Sequence, residues 1–202
     1  AWQNDFSKSA TEDGVFTDRN GKENTVSFMH DTAWRQVSQK DGVTITKLPY
    51  KTSDGKNSSN LDVSMYLLMS DKAFNAEKEL SAAKFDSVYT ALSMPKFRIE
   101  YSAGMSDMLK KIGINKAFTN TADLSSMLTG SGRTLISDVI HKTYIDVDEE
   151  GTEAAAVTGV SVGATSLPPT PTEINYNKPF TFVIKDNTSG DILFMGEYAF
   201  AE

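Results

Sequence analysis

The chain has no cysteine among its 202 residues and only two histidines, His30 and His141. Without cysteine there is no disulfide framework, no thiolate metal site and no thiol nucleophile. That absence leaves the cellular compartment open. Positive charge is also scarce: 20 Lys and Arg stand against 27 Asp and Glu, a formal net charge of -7. No basic patch is present to hold nucleic acid or an anionic membrane surface. Long apolar runs are missing as well. The longest candidates, such as VSMYLLM (Val63 to Met69), are far too short to cross a bilayer as a helix and are expected to be buried strands. The sequence opens on Ala1 with neither an initiator Met nor a signal peptide, so a processed or truncated product is expected.

What is present suits one ordinary domain with a proper core: 39% hydrophobic and 23% charged residues. Strand-like runs rich in β-branched and aromatic residues cover residues 24–30, 42–51, 61–70, 96–102, 133–147, 179–186 and 191–200. The NTSG between Asp186 and Asp191 is a hairpin signal that pairs the last two strands. In GMSDMLKKIGI, Met105, Met108, Leu109 and Ile112 share one helical face, and Gly113 follows as a cap. Residues 71–93 are helix-prone and predict one or two short helices. Strands outnumber helices without βαβ regularity, so the fold class is α+β with large antiparallel sheets and few helices.

Three chemical motifs fail on inspection. GVSVG around Ser161 matches the nucleophile elbow G-x-S-x-G. That elbow needs a helix behind it and a later histidine, yet Ala-Thr-Ser-Leu-Pro-Pro follows and both histidines precede it. DVDEEG (Asp146 to Gly151) imitates an EF-hand opening, but Val157 stands where a bidentate Glu is required. His141, in VIHKTYI, is expected to be a buried, hydrogen-bonded strand residue; no metal or cofactor is implied. Trp2 and Trp34 are expected as core or rim aromatics.

The segment from Glu149 to Pro169 remains. Read as a strand with period 2 from Thr152, its even positions are Thr152, Ala154, Ala156, Thr158, Val160, Val162 and Ala164. All are small or β-branched and none is charged. The odd positions carry Glu153, Ser161 and the glycines. Extended at roughly 3.3 Å per residue, residues 150–165 would span about 50 Å, the length of a strand crossing a large sheet. A segment able to be either loop or strand is a candidate conformational switch. A linker of small residues explains the composition but not the one-sided absence of charge.

The run Glu149-Glu150-Gly151-Thr152-Glu153-Ala154-Ala155-Ala156 resembles the hinge of the reactive-centre loop in inhibitory serpins. MPKFRIEYSAGMSDMLKKIGINKAFTNTADLSSM resembles the serpin strand–helix segment that ends in F-x-x-x-A-D-L-S. VIHKTYIDVDEEG resembles the fifth strand of serpin sheet A, NKPFTFVIKDNTSGDILFMGE the carboxy-terminal signature, and Trp2 to Phe6 the end of the third sheet-A strand. Two departures stand out: Tyr198-Ala199-Phe200 where a Pro is usual, and a few extra residues between Pro169 and Asn177.

The resemblance implies that residues 1–202 are the carboxy-terminal part of a single serpin domain, with the amino-terminal half absent, and that 149–169 are hinge and reactive-centre loop. It implies a serpin fold of mixed and antiparallel sheets with few helices. It also implies an inhibitor of serine proteases, not an enzyme: the cleaved loop inserts into sheet A and traps the acyl-enzyme. Loop length places the reactive bond at Thr165–Ser166, which suits elastase-like or subtilisin-like proteases. By the same resemblance Lys96 pairs with Glu149, Trp2 packs beneath the insertion point, and His141 hydrogen-bonds at the mid-sheet opening. Extracellular, periplasmic or cell-surface action follows from the family, as does self-association by loop swapping. A non-inhibitory serpin (chaperone or carrier) and an inactive fragment stay open as alternatives.

Overall fold

The computed structural model describes residues 1–51, 62–127, 134–152 and 169–201. It divides into two compact units, Ala1–Phe97 with Asp146–Glu202, and Arg98–Ile145. The larger holds β1 (Glu12–Thr17), β2 (Glu23–Lys40), β3 (Val43–Pro49), β4 (Val63–Ser70), α1 (Ala76–Ala82) and β5 (Asp86–Pro95). It also holds β9 (Thr172–Asn175), β10 (Phe180–Asp186) and β11 (Ile192–Tyr198).

These strands form one sheet in the order β11-β10-β4-β3-β2-β5-β9, with β1 also paired to β2. All pairs are antiparallel except β5 with β9. The β2–β3 turn is a two-residue Asp-Gly connection in which Asp41 (φ 54°) and Gly42 (φ 85°) are both left-handed, as a primed hairpin turn demands. The NTSG turn joins β10 to β11 as its residues predict.

β4 sits between β3 and β10 and is buried on both faces, which is why VSMYLLM is almost continuously apolar. On one face Tyr66 and Leu68 pack with Val43, Ile45, Val183 and Leu80 of α1. Elsewhere Phe97, Phe180, Phe182 and Tyr198 form an aromatic cluster with ring centroids 5.2–5.8 Å apart. Burying such side chains stabilises the unit by about 1.5–3 kcal/mol each.

Two elements differ from the sequence expectation. Within 71–93 a single helix forms, started by Asn75, whose side chain accepts from the Lys78 N–H at 2.8 Å. Beyond it the helix-prone residues are strand β5, paired with β2 over ten residues from Phe28↔Pro95 to Val37↔Asp86. Thr90, Leu92 and Met94 alternate into the interior, so cross-strand pairing overrides local propensity. For the same reason β2 continues to Lys40, well past the run that stops at His30.

The smaller unit contains β6 (Phe97–Gly104), α2 (Ser106–Lys111), a turn of 3-10 helix at Lys116–Phe118 and the start of β7 (Ile140–Asp148). α2 lies where the spacing of Met105, Met108, Leu109 and Ile112 places it, and the N–H of Gly113 closes it onto Lys110 O at 3.0 Å. Residues 134–139, expected as strand, are not: Val139 bonds instead to Met105 and to the Ser106 hydroxyl. The second sheet has the order β6-β7-β8, where β8 is only Gly151–Thr152. No helix among the described residues is long and apolar enough to cross a membrane.

Candidate functional site

The segment that the sequence singles out begins as β7 ends, and the structure describes its first four residues in detail. The Asp148 carboxylate accepts the N–H groups of Glu150 (2.9 Å) and Gly151 (3.2 Å), folding the chain into a tight turn. Gly151 then takes φ 137°, and the chain reverses so that Thr152 pairs antiparallel with Val147 and Gly151 with Asp148. A Cβ at Gly151 would lie 2.6 Å from the Ala1 Cα, so glycine is required twice over, by dihedral and by space.

The first eleven residues grip this turn. Trp2 donates its backbone N–H to Glu150 O (3.0 Å) and its indole N–H to Asp148 O (2.8 Å). The Phe6 N–H donates to Glu149 O at 2.9 Å. Trp2 is 1% exposed, stacked on Tyr50 with centroids 4.8 Å apart and planes 13° apart. It lies in an isolated bridge with Tyr50 and not in a strand of either sheet.

Glu149 is buried yet fully partnered. Its Oε2 is 2.8 Å from Lys96 Nζ, and its Oε1 accepts the Thr11 hydroxyl at 2.7 Å. Burial pushes its pKa up, but the bonds from Lys96 and Thr11 outweigh that, and the net position is below its ordinary value. Lys96 is itself fixed by its N–H to Ser27 O at 2.8 Å, between β5 and β6. Glu150 pairs with Lys8 at 2.5 Å. The Thr152 hydroxyl is 2.8 Å from the Tyr50 hydroxyl. Burial pushes Tyr50 up to about 12, with the Thr152 contact opposing it, so this phenol stays protonated.

Trp2, Lys96, Glu149, Glu150, Gly151 and Thr152 are thus brought together. His141 is not among them: it lies on β7 with an exposed side chain, contrary to the buried placement expected. Ile140 beside it is likewise exposed, at 62%. Trp34 is 59% exposed, a surface aromatic against Tyr89 and not core. Glu153, Ala154, Ala155, Ala156, Ser161, Thr165 and Ser166 lie outside the described residues. Tyr50, Thr11 and Lys8 were not singled out by sequence; their roles come from contacts between residues 102 to 142 apart, which no local pattern carries. Among the described residues no three His, Asp or Glu side chains are grouped to hold a metal ion.

A family model described as serpin (serine protease inhibitor) matches residues 1–199. The chain belongs to the serpin family. Serpin-ZX of Hordeum vulgare is 34% identical and Serpin-Z2A of Triticum aestivum 33%; each alignment covers 97% of this chain and 52% of the relative. The native-state structure of tengpin, a thermophilic serpin, matches at TM-score 0.75 and 28% identity, covering 99% of this chain and 52% of tengpin. A thyroxine-binding globulin complexed with thyroxine matches at TM-score 0.77 but 22% identity, covering 98% and 53%, a likeness of fold alone. The chain spans about half the length of the curated relatives it matches. Serpins are protease inhibitors and generally not catalytic enzymes, and the sheet-dominated architecture described above is that of the serpin fold.

Proposed function

We propose that this chain is the carboxy-terminal part of an inhibitory serpin acting outside the cell as a suicide substrate for an elastase-like or subtilisin-like serine protease. The protease's serine oxygen adds to the Thr165 carbonyl carbon. The bond to the Ser166 nitrogen breaks, that nitrogen leaves protonated, and an ester to Thr165 remains. Small residues at Val162, Ala164 and Thr165 suit a shallow specificity pocket and offer nothing to a pocket built for Lys or Arg. Insertion of the freed strand beside β7 must outrun hydrolysis of that ester.

The observation that carries this reading is the register of β8. Thr152 faces Val147, which is fully buried, and Ile145 two residues earlier is buried as well. Directly opposed residues share a face. Thr152, the first of the uncharged even-numbered positions, therefore falls on the interior face, which supports the period-2 reading of the loop. Completing the sheet buries apolar surface and satisfies the β7 edge, which supplies the driving force.

The test is to mix the full-length protein with pancreatic-type elastase and run denaturing gels. A band at the summed mass, resistant to denaturant, is expected. Loop cleavage without that band would support a substrate-like, non-inhibitory serpin and overturn the inhibitory reading.

A further inference from the structure

Thr152 carries the first side chain of the segment to sit beside β7, since Gly151 before it has none, and something must hold it there before the rest of the loop follows. Two neighbours in the turn are anchored by charge, Glu149 to Lys96 and Glu150 to Lys8. Thr152 is anchored by a neutral group, the Tyr50 hydroxyl at 2.8 Å. Tyr50 is well placed for that task. Its N–H bonds to Val63 O at 3.0 Å, and the following Lys51 N–H bonds to Ala1 O at 2.9 Å. Its ring is clamped against Trp2, whose own backbone and indole hold the turn. One rigid aromatic stack thus fixes both sides of the turn, with the phenol oxygen aimed at the Thr152 side chain.

We infer that Tyr50 is a positioning residue for loop insertion: its hydroxyl seats Thr152 against Val147 and so sets how often a cleaved loop inserts before its ester is hydrolysed. This rests on the inhibitory reading above for its consequence, but not for the contact itself. Without the hydroxyl, Thr152 must enter the interior face with its own hydroxyl unpaired, which opposes the first step of zipping. The cleavage step lies thirteen residues further along the loop and does not involve Tyr50.

The experiment uses the full-length protein, Tyr50→Phe and Thr152→Val, singly and together, with elastase as the probe. Tyr50→Phe keeps the ring stack on Trp2 and removes one oxygen. The ratio of cleaved inhibitor to covalent complex is expected to rise about fivefold, the factor one net hydrogen bond is worth. The rate constant for loop cleavage is expected to stay unchanged. Thr152→Val should give a similar rise, and the double variant no more than either single one. An unchanged ratio in Tyr50→Phe, or effects that multiply in the double variant, would overturn the proposal. Hydrogen exchange at the Gly151 and Thr152 amides separates the two readings. If the unmodified protein forms no complex, the inhibitory reading fails. Faster exchange in Tyr50→Phe would still establish that Tyr50 seats the hinge, and unchanged exchange would remove that role too.

Discussion

Lys96 Nζ stands 2.8 Å from Glu149 Oε2 while the other carboxylate oxygen accepts from Thr11 at 2.7 Å, so one buried carboxylate ties three separate segments at the start of the loop. The Lys96 side chain is 39% exposed and Glu149's 4%, so screening weakens the lysine end more than the threonine end. Glu149→Gln keeps the shape and loses the charge. It should destabilise the protein by roughly 1–2 kcal/mol, read as a lower urea midpoint at unchanged slope.

The pH dependence of that loss has a definite sign. The folded pKa of Glu149 lies below its ordinary value of 4.5. A depressed carboxylate contributes stability above the unfolded pKa and loses it as pH falls through the folded one. The stability gap between the protein and Glu149→Gln should therefore be constant from pH 7 to about 5 and close below about pH 4. Melting temperatures at stepped pH check it; a gap that widens in acid would contradict the assignment.

Thr152→Arg places a charge on the interior face opposite Val147, which is fully buried. Burying an unpaired guanidinium costs several kcal/mol, enough for hydrolysis to win over insertion. Gels should show the covalent complex abolished while loop cleavage continues at its former rate.

Gly151→Ala sets a Cβ 2.6 Å from Ala1 Cα at φ 137°. A strained backbone of this kind costs about 1–3 kcal/mol, and the clash falls on the backbone next to Trp2. In a Trp34→Phe background Trp2 becomes the one tryptophan of this sequence. Its emission, blue-shifted because it is 1% exposed, should move to the red in Gly151→Ala.

Tyr176→Phe tests the interior of the larger sheet. Its hydroxyl hydrogen-bonds with Thr46 Oγ1 (2.9 Å) and with Leu67 O (3.0 Å), all buried. Removing it should cost about 1–2 kcal/mol in urea unfolding. The loss should not vary across neutral pH, because burial holds the phenol protonated well above its ordinary value.

Much of the architecture was legible because short-range patterns carried it. The alternation in PFTFVIKD and DILFMGEYAF, with NTSG between, fixes a hairpin using neighbours only. The helix at Ser106–Lys111 follows from four apolar residues on one face and a glycine after them. Strand β5 was not legible, because DSVYTALSMP has the alanine, leucine and serine content of a helix and becomes strand only against β2. His141 was misplaced for a related reason: a histidine in an alternating run looks interior, but its burial depends on what covers the strand.

The residues by themselves determined the family and singled out the segment from Glu149, since a period of two is written in side-chain size and charge along it. Only the tertiary structure decided what holds the hinge. Trp2, Thr11, Tyr50 and Lys96 reach it from 53 to 146 residues away in sequence. Hydrogen bonds and ion pairs act over about 3 Å of space and leave no periodic trace along a chain.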